Sequence, residues 1–143
     1  MDDGAAAALW PRQVEFADRG AGERSDDSPM VLQIMVPPSA VTKIVAQLLD
    51  FDGKCQIQSH AASGVIVARF SKFSQSELTS VLVGKLRPAA TKLGGSAVIV
   101  RTKLEGLTPH LAWGGRTDAV VLLEKIKQKF DPKGILNSGR FVF

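Results

Sequence analysis

Met30-Val31-Leu32-Gln33-Ile34-Met35-Val36-Pro37-Pro38 is the stretch from which the fold can be read. A short run of apolar residues, broken only by Gln33, suits a buried strand. The proline pair ends it, because proline has no N–H for a strand ladder. Ser39 then stands where a helix N-cap belongs. Val41, Ile44, Val45, Leu48 and Leu49 follow at the spacing of one apolar helix face. Asp52-Gly53 stops that helix.

Two further strand-like runs come next, Lys54 to Ser59 and Val65 to Phe70, separated at hairpin length by His60 to Gly64. Ser74-Gln75-Ser76-Glu77 has the form of a capping box, in which the Ser hydroxyl and the Glu carboxylate satisfy N–H groups that a helix start leaves unpaired. Leu78, Val81, Leu82 and Leu86 supply the buried face behind it. Pro88 is expected to kink or end that helix, since it lacks an N–H and its ring crowds the preceding turn. Gly94-Gly95 leads into another strand, Ser96 to Arg101.

The order is therefore β-α-β-β-α-β with short connections. This predicts an α+β fold of the ferredoxin-like kind, with an antiparallel sheet backed by two helices. A further helix follows. Thr117 is its expected cap, and Ala119, Leu122, Leu123, Ile126 and Phe130 form its apolar side. Lys125, Lys127 and Lys129 sit toward its negative end. Three regions result: a loose N-terminal arm (1–29), a ferredoxin-like cap (30–102), and a C-terminal helix with a return segment (103–143).

The arm holds seven acids against three bases, so it carries −4 and the rest +8 of a whole-chain +4. A basic body could face acidic ligands, an acidic partner surface or nucleic acid, although scattered solvated lysines give the same count. An RNA-recognition domain shares this strand order, but it needs aromatic residues on its central strands for base stacking. The first and third strands here offer only Phe70, which argues against nucleic acid. No apolar run is long enough to span a bilayer. The acidic start lacks the basic segment of a secretory signal, and Cys55 is the single cysteine, so an intracellular, cytoplasmic location is expected.

Catalytic patterns are missing. There is no G-x-G-x-x-G, no Walker loop and no G-x-S-x-G, and His60 and His110 have no metal-ligand partners at the right spacing. Cys55 reads as a buried, inert thiol. What remains is the ending, Phe130-Asp131-Pro132-Lys133-Gly134-Ile135-Leu136-Asn137-Ser138-Gly139-Arg140. Asp131-Pro132 ends a helix, Gly134 is expected at positive φ, and Ile135-Leu136 is expected to pack on the core. The next turn offers the Asn137 amide, close backbone approach at Gly139 and the planar fork of Arg140, which suit a cofactor edge or a domain interface.

This ending resembles the F-D-P-x-G-x-L-N-P-G-R signature of FAD-linked oxidases of the vanillyl-alcohol-oxidase superfamily. Gly94-Gly95-Ser96-Ala97, leading to Arg101, and Trp113-Gly114-Gly115-Arg116 make the chain most similar to the E subunits of glycolate oxidases. Ser138 stands where the family has proline. The resemblance implies a cap and C-terminal domain of an FAD-dependent oxidoreductase acting on a 2-hydroxy acid such as glycolate. FAD would be held by a flavin-binding domain, in cis or in trans, that nothing in this chain resembles; alone, the chain would be inactive. By position, Asn137, Gly139 and Arg140 would lie near the cofactor, and Trp113 and Arg116 would face the substrate cleft. An iron–sulfur subunit is a further implied partner. The alternative from another class is a non-enzymatic ferredoxin-like interaction or regulatory module.

Overall fold

The computed structural model describes residues 29–115 and 118–136. Except for Pro29, the N-terminal arm lies outside them, as do Arg116, Thr117 and the stretch 137–143 that includes Asn137, Gly139 and Arg140.

Strand β1 (Met30–Met35) leads through a 3-10 turn (Pro38–Ala40) into helix α1 (Val41–Phe51). Ser39 lies within that turn and does not cap the helix; the N-cap is Ala40, without a side-chain cap bond. The proline pair sets up the turn, so the chain enters α1 already coiled. Strands β2 (Gln56–His60) and β3 (Val65–Phe70) form the hairpin, and β4 (Ser96–Thr102) ends the order. The four strands run β2-β3-β1-β4, every described pairing antiparallel. This is the ferredoxin-like α+β arrangement expected from the sequence.

The second helix, α2, covers residues 75–92 and changes its winding along the way. It opens at Gln75–Glu77, passes through nine residues of π-helix (Leu78–Leu86) and closes as α-helix at Arg87–Lys92. The capping box forms at its start: the Glu77 carboxylate accepts the Ser74 N–H at 2.6 Å. Pro88 does not end the helix. It sits in the first turn of the closing α segment, where a missing N–H is tolerated, and the wider π turns precede it.

One core fills the space between the sheet and the two helices. Met30, Leu32 and Ile34 of β1 meet Ile66, Ala68 and Phe70 of β3, with Ile44 and Leu48 of α1 and Leu78 and Leu82 of α2 packed over them. Phe51, Phe70 and Phe73 stack edge-to-face with ring centroids 5.1 to 5.8 Å apart. Asp52, which ends α1, ties that end to β3 by accepting the Ser71 N–H at 2.7 Å and the Lys54 N–H at 2.9 Å. Beyond β4 the order continues with a short helix α3 (Pro109–Trp113) and a longer one, α4 (Asp118–Phe130).

Candidate functional site

The site is built from α3 outward. Thr108-Pro109 starts this helix: the Thr108 hydroxyl accepts the Leu111 N–H at 3.2 Å, and proline takes an early position where no donor is needed. Five residues make a helix too short to hold itself. Arg87 of α2 anchors it. Its guanidinium donates to Ala97 O on β4 at 3.1 Å, to Ala112 O at 3.0 Å and to Leu111 O, so one side chain joins α2, the sheet and the end of α3. Partial burial pulls Arg87 below its ordinary value, yet it remains the cation for three carbonyls. The backbone of buried Gly114 lies directly over it. Trp113 is thereby held at the surface with 47% of its area exposed.

Helix α4 carries the apolar side expected of it, but most of that side is not buried. Val120 is buried, whereas Val121, Leu122, Leu123, Ile126 and Phe130 are between 45% and 77% exposed. Large apolar side chains on a helix normally mark a covered face, but here they remain exposed.

At the end of α4, Asp131 gives the Asp-Pro break its local structure. Its carboxylate accepts the N–H of Ile135 at 3.0 Å and of Leu136 at 2.9 Å and pairs with Lys127, which also donates to Leu136 O. The Lys127 ammonium comes first in holding this carboxyl below the usual range, with the Leu136 and Ile135 N–H groups adding to it. Gly134 takes φ +63° as expected, and its N–H closes the turn on Asp131 O at 3.0 Å. Ile135 and Leu136, however, do not pack on the core. Both are exposed, because the Asp131 turn directs them outward beside Phe130 in sequence.

Of the residues expected at a cofactor or substrate site, the described part of the structure contains Trp113 alone. Arg116, Asn137, Gly139 and Arg140 lie outside it. Sequence reasoning missed Arg87, whose partners are ten to twenty-five positions away. It also missed a cationic row on the sheet: the register pairs Val31 with Arg69 on one side and with Arg101 on the other, and Gln56 continues the row beyond Arg69. Only strand pairing brings these residues together.

Other chemistry is weak. Burial pushes the Cys55 thiol up to about 12, with the Asp52 charge adding to it, so the thiolate needed for reactivity is suppressed. His60 is exposed at the hairpin and lies 3.3 Å from the Gln58 amide. Among the described residues, no cluster of His, Cys, Asp or Glu could hold a metal, and no helix is long and apolar enough to cross a membrane.

A flavin dinucleotide finds no phosphate cradle at the starts of α1, α2 or α3. Free N–H groups at a helix start are one ready-made site for its pyrophosphate. Here α1 follows a 3-10 turn, α2 uses Glu77 to occupy its own start, and α3 begins with Thr-Pro. Gly95 has a packing role, since a Cβ there would lie 2.1 Å from Met35 O, whereas Gly94 serves the turn at φ +74°.

No curated protein and no solved structure matches the chain. Residues 108–141 do match the family model of the FAD linked oxidases, C-terminal domain. The matched stretch begins at the Thr108 cap of α3 and takes in Trp113, all of α4 and the Asp131 turn, so the part of the chain with the uncovered apolar face is the part similar to the C-terminal domain of FAD linked oxidases.

Proposed function

We propose that this chain is the cap and C-terminal portion of an FAD-dependent oxidoreductase acting on a 2-hydroxy acid of the glycolate type. A flavin-binding domain, in cis or in trans, completes it, and the chain is not catalytic by itself. The observation that carries this reading is the coincidence of the 108–141 match with the exposed face of α4. An apolar face kept in water costs stability, and a large partner domain removes that cost.

FAD supplies the redox chemistry in this reading, and the chain positions what reacts. Trp113, fixed by the Arg87 clamp, faces the substrate cleft together with Arg116. A guanidinium suits the carboxylate that every 2-hydroxy acid carries, because its fork matches two oxygens. Arg69 and Arg101, either side of Val31, are further candidates for the same anion. Asn137, Gly139 and Arg140 lie toward the cofactor edge. An iron–sulfur subunit as electron acceptor and a cytoplasmic location belong to the same reading.

The test is the native protein isolated from its source. Flavin absorbance in the purified assembly, and bleaching of that absorbance by glycolate or lactate under anaerobic conditions, support the proposal. A flavin-free native protein that associates only with itself overturns it, and would establish the ferredoxin-like interaction module instead.

A further inference from the structure

The groove between α1 and α2 carries features that the oxidase reading does not use. Two adjoining cavities of about 350 and 310 Å³ share Gln47 and Lys85 in their walls. Together they reach the size of a small-molecule site. The first is walled by Phe51, Val81 and Leu86, with Asp50 at its side. Lys43, Lys85 and Lys92 stand around the second. None of these lysine side chains has an ion pair or hydrogen bond among the described residues. One wall of the groove is the nine-residue π stretch of α2, a winding that is rare and recurs at functional sites.

We propose that this groove binds a small organic anion with an apolar body. The polarity of the walls fixes its orientation. The anionic head lies among Lys43, Lys85 and Lys92, and the apolar body lies against Phe51, Val81 and Leu86. Asp50 repels an anion from the opposite end, so the reverse orientation is disfavoured. Gly84 lines the lysine end without a side chain and leaves it open. None of these residues belongs to the proposed flavin-facing side, so the site stands independently of that reading.

The test uses the full chain, isotope-labelled, titrated with 4-hydroxyphenylacetate and followed by amide chemical shifts. Saturable shifts confined to residues 43–51 and 81–93 are expected. Affinity should fall about tenfold or more, the equivalent of one lost charge-assisted contact, for the neutral 4-hydroxyphenylacetamide and for the double variant Lys43→Ala/Lys85→Ala. Absence of saturable shifts in the groove, shifts confined to α4, or unchanged affinity in the lysine variant would each overturn the proposal.

Discussion

Two regions of this molecule use the same side chains to opposite ends. In residues 30–102, Leu32, Ile34, Ile66 and Leu82 are fully buried between sheet and helices. In residues 118–136, Leu122, Leu123, Ile126, Phe130 and Ile135 follow an equally clear pattern and remain in contact with water. The difference shows that periodicity reveals where a face is, and says nothing of what covers it. The first region finds its cover within the chain. The second shows no such cover among the described residues, and the proposed flavin-binding domain would supply it.

The contrast breaks most readily in the core. Ile66→Ala should cost about 2–5 kcal/mol by urea denaturation, because it removes buried methyls from a packed site. Leu122→Ala in the same isolated chain should cost under about 0.5 kcal/mol, as a surface change does. A large cost at Leu122 would mean that α4 is already covered.

Glycines sharpen the comparison next. Gly64 and Gly134 share a left-handed φ, +71° and +63°, but not their surroundings. A Cβ at Gly64 would meet Val36 O at 1.8 Å, whereas one at Gly134 meets nothing within 4 Å. Gly64→Ala should therefore lower the melting temperature by the equivalent of about 3 kcal/mol, combining strain with a backbone clash. Gly134→Ala should cost only the conformational part, about 1 kcal/mol, confined to the tail.

The Arg87 clamp ties α3, which lies between the two regions in sequence, to the first of them. Arg87→Ala should cost about 1–3 kcal/mol by leaving three carbonyls without a charged donor. Trp113 fluorescence should shift with it, which a purely local surface change would not cause. The smallest effect is at Asp131. Its folded pKa lies below the unfolded value, so the turn's contribution is fully present above about pH 4 and is lost as pH falls through the folded pKa. The Ile135 and Leu136 amides should accordingly lose exchange protection at low pH, and Asp131→Asn should lose much of it at neutral pH.

Much of the architecture was legible because it depends on local pattern. The Pro37-Pro38 stop, the Ser74–Glu77 box and the strand-like run Val65–Phe70 each act within a few residues. The π winding of α2 was not legible, since Leu78, Val81, Leu82 and Leu86 share one face in either winding. Ser39 misled because the prolines before it had already begun a turn. Helix α3 had a signal in Thr108-Pro109, which its five-residue length concealed. The site was harder to read: Arg87 reaches Ala112 across the fold, and Arg69 meets Arg101 only through β1. No local pattern encodes either.

The most direct measurement is amide hydrogen exchange over α4 and the Asp131 turn, in the isolated chain and in the native flavin-containing assembly. In the isolated chain these amides should exchange orders of magnitude faster than those of β1 and β3. In the assembly they should slow toward the sheet's rates, with Trp113 protected alongside. Protection of α4 equal to that of the sheet in the isolated chain, or no slowing on assembly, would contradict an interface completed by a partner.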